Sequence, residues 1–128
     1  MKVAIAQINP TVGALKGNSR KIEEIIQEYS LKCDLVVFPE MCLTGYPPQD
    51  LLLDSSFIEK SAEALQNIAA NTQDASVILG TIRQEENKLF NTAALLNNGQ
   101  VTAYRDKTHL PTYDVFDEAR YFASADTK

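Results

Sequence analysis

Apolar positions along the chain follow two rhythms. Lys2-Val3-Ala4-Ile5-Ala6-Gln7 places Val3 and Ile5 on one side and Ala4 and Ala6 on the other, so it reads as a first strand with no polar face. Pro10 and Gly13 break it. Ile22, Ile25, Ile26 and Tyr29 then recur at helical spacing, with Asn18 or Ser19 placed to cap the start of an amphipathic helix. Leu35-Val36-Val37-Phe38 is a β-favouring run that predicts a strand buried on both faces, and Pro39, which has no N–H for a ladder, ends it. Ser56-Phe57-Ile58-Glu59 has the spacing of a capping box, ahead of a second helical stripe at Ile58, Ala62, Leu65 and Ala69. A third strand is expected from Ala75 to Ile82, with Val77-Ile78-Leu79 at its centre. A polar turn at Gln84 to Asn87 leads to a fourth, Leu89 to Leu96. Asn98-Gly99 is a strong hairpin signal, and a fifth strand follows at Val101 to Arg105.

The order is strand, helix, strand, helix and then a run of strands, which predicts an α/β fold with a mixed sheet. Right-handed crossovers make the early strands parallel, and hairpins make the late ones antiparallel. The two predicted helices cover one face of such a sheet. Its other face is also apolar and requires a cover: another sheet, another subunit or further sequence. An uncovered apolar face is an interaction surface, so a homo-oligomer is expected. The 128 residues suit one domain.

Composition narrows the partners. A net charge of -5 and the lack of any basic run argue against nucleic acid. No apolar stretch approaches the ~18 residues that span a bilayer. Gln7 and Asn9 interrupt the first apolar run, unlike a secretory signal, so a cytoplasmic protein with no membrane partner is expected. Cys33, Cys42 and the single His109 fall short of the four ligands of a structural zinc site, and no metal is expected. Cys33 reads as a small packed residue. No glycine-rich phosphate loop is present.

Glu40 follows the proline that ends a buried strand, where open α/β sheets place their ligand crevices. The plain alternative is a solvated loop acid. Lys107 repeats the arrangement, a charged residue just past the fifth strand with Pro111 close by. A glutamate and a lysine from two strand ends can meet over one crevice. There the glutamate would take a proton from a nucleophile and the lysine would stabilise the oxyanion of a tetrahedral intermediate. The competing reading is a structural ion pair.

These residues also carry a resemblance. Phe38-Pro39-Glu40 with Gly45-Tyr46, and Lys107-Thr108-His109-Leu110-Pro111, resemble the Glu and Lys motifs of the nitrilase (carbon-nitrogen hydrolase) superfamily. More narrowly, the runs Leu43 to Leu53 and Leu110 to Phe122 are similar to the glutaminase domain of glutamine-dependent NAD+ synthetases. The resemblance implies the first half of an α-β-β-α sandwich, with helices on one face of a mixed sheet. It implies glutamine as substrate, Glu40 as general base and Lys107 as oxyanion stabiliser. Glu118 would orient the lysine or the substrate, and Tyr113 and Phe116 would line the glutamine pocket.

The family's triad is completed by a cysteine on a later strand, in a motif resembling Cys-Glu-Asp. No cysteine follows Lys107 here. Residues 1–128 are therefore expected to be the N-terminal portion of such a domain, truncated before the nucleophile and inactive alone. The synthetase domain, with its ATP and Mg, would lie outside this chain, which is expected to hold no cofactor. Cys42 is read as a packed loop residue rather than a substitute nucleophile, and His109 as a surface or packing residue. The alternatives are a piece of a free-standing amidase or carbamoylase, and a non-catalytic interaction module of the same fold.

Overall fold

The computed structural model describes residues 1–110 and 121–125. One five-stranded sheet runs in chain order: β1 (Val3–Ile5), β2 (Leu35–Val37), β3 (Ser76–Glu85), β4 (Lys88–Asn97) and β5 (Gln100–Asp106). Helix α1 (Leu15–Tyr29) connects β1 to β2, and α2 (Ser55–Ala70) connects β2 to β3. The pairs β1–β2 and β2–β3 are parallel, while β3–β4 and β4–β5 are antiparallel. The expected mixed α/β topology is therefore the observed one. Its physical origin is local: the parallel strands are joined through helices, and the antiparallel ones through two-residue turns. Those turns, Glu86-Asn87 (φ 49° and 68°) and Asn98-Gly99 (φ 51° and 80°), hold the left-handed backbone that tight hairpins require.

Alternation along the strands divides the sheet's faces. Val36, Val77, Leu79, Ala94 and Leu96 pack against Ile22 and Ile26 of α1 and Leu65, Ile68 and Ala69 of α2. Each fully buried aliphatic chain contributes roughly 1.5–3 kcal/mol. On the opposite face the register aligns Ile5, Val37, Ile78, Leu95 and Ala103 in a row across all strands. Among the described residues no helix lies over that row, and Ile5 stays 75% exposed.

Three local expectations are corrected. The first strand is shorter than Lys2 to Gln7, because β2 offers only Leu35–Val37 as a parallel partner. Helix α1 starts at Leu15, ahead of the expected cap, and Asn18 lies inside it. The Asn18 side chain is buried and bonds to the loops instead. It accepts from the Thr11 N–H (2.9 Å) and donates to the carbonyls of Thr11 (2.8 Å) and Leu43 (3.0 Å). Helix α2 is capped by Asp54 rather than Ser56. The Asp54 carboxylate accepts from the N–H groups of Ser56 (2.9 Å) and Phe57 (3.4 Å), which puts negative charge at the positive helix end.

Beyond β2 the chain makes one further sheet bond, Phe38 N–H to the Ile78 carbonyl (2.9 Å), and then crosses Gly80. A Cβ at Gly80 would stand 2.3 Å from the Pro39 oxygen, 2.5 Å from the Met41 nitrogen and 2.7 Å from the Glu40 Cα. Only glycine admits that approach. Met41 turns the chain with φ 46° and is fully buried, in a second apolar cluster with Leu52, Phe57, Ile82, Leu89 and Phe122.

Gly80→Ala is expected to destabilise the chain by about 3 kcal/mol, at the upper end for an overpacked site. Gly17→Ala, where the nearest atom lies 4.0 Å away inside a helix, should stabilise it by roughly 0.5–1 kcal/mol. Urea denaturation of both variants measures this, and equal midpoints would contradict the steric account.

Candidate active site

The turn over Gly80 delivers Glu40 to the open face of the sheet. There one of its carboxylate oxygens, Oε1, accepts two hydrogen bonds, from Lys107 Nζ (2.8 Å) and from Asn91 Nδ2 (2.6 Å). Asn91 belongs to β4 opposite Ile82, on the same face as Ala93 and Leu95. Lys107 follows β5, and its N–H donates to the Asn91 carbonyl (2.8 Å), so the β4–β5 pairing continues one residue past the strand. Lys107 therefore stands directly beside Asn91. Residues 123–125 return to the same place: Ala123 N–H donates to the Leu89 carbonyl (2.8 Å), and Ser124 Oγ to the Thr108 carbonyl (2.6 Å).

The Glu40 and Lys107 side chains are 45% and 31% exposed. Water reaches both, so the pair by itself adds little to stability. Its orientation comes from the backbone beneath. Asp106, the residue before Lys107, points to the other face, where the Arg83 guanidinium forks onto its carboxylate through Nε (2.8 Å) and Nη2. The Phe90 and Tyr104 rings flank that guanidinium at 4.8 and 5.2 Å. Hydrogen bonding from Arg83 holds the Asp106 carboxyl below its ordinary value. This clamp fixes the end of β5, and alternation then turns Lys107 to the Glu40 side.

Cys42 is fully buried, with Sγ 3.5 Å from the Gly80 carbonyl. Burial pushes its thiol up to about 12. It packs under the Glu40 turn, as its small apolar character suggested. Cys33 is half-buried, and His109 is an exposed residue beyond Lys107. Tyr113, Phe116 and Glu118 lie outside the described residues. Among the described residues no group of three His, Cys, Asp or Glu could hold a metal ion, and no helix is long and apolar enough to cross a membrane.

Sequence reasoning brought Glu40 and Lys107 to one site but passed over Asn91, Gly80 and the Arg83–Asp106 clamp. Two of these left a signal. An asparagine in the middle of Leu89-Phe90-Asn91-Thr92-Ala93 is out of place for a strand, and a glycine within Val77-Ile78-Leu79-Gly80-Thr81 marks a close approach.

Comparison with known proteins gives a consistent picture. The carbon-nitrogen hydrolase family matches residues 2–127. The glutamine-dependent NAD+ synthetase of Synechocystis is 45% identical over 132 aligned positions, covering 96% of this chain and 24% of that protein. The solved structure of a glutamine-dependent NAD+ synthetase from Cytophaga hutchinsonii superposes with a TM-score of 0.91 at 29% identity, over 97% of this chain and 22% of its own. That of Acinetobacter baumannii, in complex with ADP, gives 0.90 at 35% identity, over 98% and 24%. The chain thus spans about a quarter of the length of these relatives.

A thiol held near 12 leaves roughly one molecule in ten thousand as thiolate at pH 8. Iodoacetamide treatment of the native chain, read by mass spectrometry, should therefore label Cys33 and spare Cys42 until denaturant is added. Rapid native labelling of Cys42 would contradict the buried placement.

Proposed function

The chain belongs to the carbon-nitrogen hydrolase family, and from that premise we propose that it carries the base and the oxyanion-stabilising lysine of a glutamine-hydrolysing site. The observation that carries the proposal is the 2.8 Å contact between Glu40 and Lys107 on an open sheet face. Both side chains are partly exposed, Glu40 at 45% and Lys107 at 31%, as groups that meet a substrate must be. In this reading Glu40 takes the proton of an attacking thiol. The thiolate adds to the side-chain amide carbon of glutamine, and Lys107 stabilises the resulting oxyanion. Glu40 returns the proton to the departing ammonia, then activates the water that frees glutamate from the thioester. By resemblance, Tyr113 and Phe116 line the glutamine pocket, and Glu118 orients Lys107 or the substrate.

The attacking thiol is neither Cys42, whose sulfur is buried and strongly protonated, nor Cys33, which lies before β2, away from Glu40 in the fold. We place it outside these 128 residues. Residues 1–128 would then form the N-terminal portion of a glutaminase domain, and the ammonia would pass to an NAD+-forming domain, as the relatives' names suggest. ATP chemistry would also reside there, in keeping with ADP bound to one relative. A cytoplasmic setting fits such a biosynthetic role.

The test is a chimera in which this chain replaces the matching segment of the Synechocystis synthetase. It should make NAD+ with glutamine as nitrogen source. Glu40→Gln and Lys107→Met should each lower that rate by about 10²–10⁴-fold while leaving synthesis from added ammonia intact. Loss of both activities together, or of neither, would refute the assignment.

The bare apolar row supports self-association of the chain through that face. Sedimentation velocity should show dimers or larger species that dissociate on Ile5→Lys. A monomer at all concentrations would rule this out.

A further inference from the structure

We infer that Asn91 is the positioning residue that fixes Glu40 and leaves the second carboxylate oxygen as the proton-accepting atom. The assignment of roles rests on the reading of Glu40 as general base; the geometry stands without it. Both donors converge on Oε1, Asn91 at 2.6 Å and Lys107 at 2.8 Å, and no described residue donates to Oε2. One oxygen is held by both donors, and the other is left to accept a proton.

The two donors are not equivalent. Asn91 is 4% exposed and sits within β4, with β3 and β5 on either side. Its short side chain has little freedom. The Lys107 ammonium rides on a four-carbon stem past the end of β5. The orientation of the Asn91 amide is fixed by chemistry, because only its NH2 group, and not its oxygen, can face a carboxylate. In the proposed reaction Lys107 must turn its donors to an oxyanion. A glutamate held by lysine alone would lose its anchor at that moment. Asn91, as a neutral donor on a rigid strand, keeps the carboxylate in place and adds no charge.

The experiment reads the resting chain and so is independent of glutamine turnover. Side-chain couplings in the labelled chain report whether Glu40 occupies one rotamer. A single rotamer is expected in the native chain and in Lys107→Met. Asn91→Leu and the isosteric Asn91→Asp should each lose it and show rotational averaging, with backbone spectra confirming the fold. The reciprocal variant Glu40→Ala, at an exposed position, should accelerate solvent exchange of the Asn91 side-chain amide by roughly tenfold. A single Glu40 rotamer retained in either Asn91 variant, averaging in Lys107→Met, or unchanged amide exchange in Glu40→Ala would each overturn the inference. A locked Glu40 in a chain whose chimera fails with glutamine would instead refute only the functional reading.

Discussion

The site depends on a steric permission. The backbone from Pro39 to Met41 passes so close to β3 that a single Cβ at position 80 would collide with three of its atoms. Because Gly80 has none, the chain can leave β2, cross the neighbouring strand and present Glu40 above the sheet. The crossing is then secured from below. Met41 sinks into an apolar cluster drawn from α2, β3, β4 and residue 122, while Leu43 and Cys42 both approach the Gly80 carbonyl. A polar group reaches a defined position here because apolar packing leaves its backbone no alternative.

The partner side of the site is built on the other logic available to a sheet, alternation. Asp106 and Lys107 are consecutive, so they point to opposite faces. The Arg83 guanidinium, held between two aromatic rings, anchors Asp106, and that anchoring sets the direction of Lys107. Three strands thus contribute one residue each to a small polar group at the sheet end. Glu40 comes from the turn after β2, Asn91 from β4 and Lys107 from the end of β5. None of the three neighbours another in sequence; the β4–β5 pairing sets Asn91 beside Lys107, and the crossing over Gly80 brings Glu40 to them.

Much of this was legible in the chain. Periodicity separated helices from strands, and Asn98-Gly99 gave one hairpin its turn. The strand-end positions of Glu40 and Lys107 drew attention to both. What escaped was information that resides in the neighbour rather than in the residue. Asn18 reads locally as a cap, yet two loops that pass nearby recruit its amide. Ser56 has capping spacing, but the helix begins earlier, and Asp54 accepts from its first N–H groups, those of Ser56 and Phe57. Asn91 is odd for a strand interior, but its partner is visible only when the register sets it against the Glu40 turn. Arg83 and Asp106 are 23 residues apart and meet only because the β3–β4 and β4–β5 hairpins fold them together.

The openness of the face that carries the site has an electrostatic consequence. At present water wets both members of the Glu40–Lys107 pair, and solvent polarisation dampens their attraction. Laying an apolar surface over Ile5, Val37, Ile78 and Leu95 would expel that water and lower the local dielectric constant. The same 2.8 Å separation would then correspond to a much stronger field, with no atom of the pair displaced. On the proposed reading of this pair, its reactivity would then depend on whatever covers the sheet, and assembly would be the step that turns a surface ion pair into a polarised pocket.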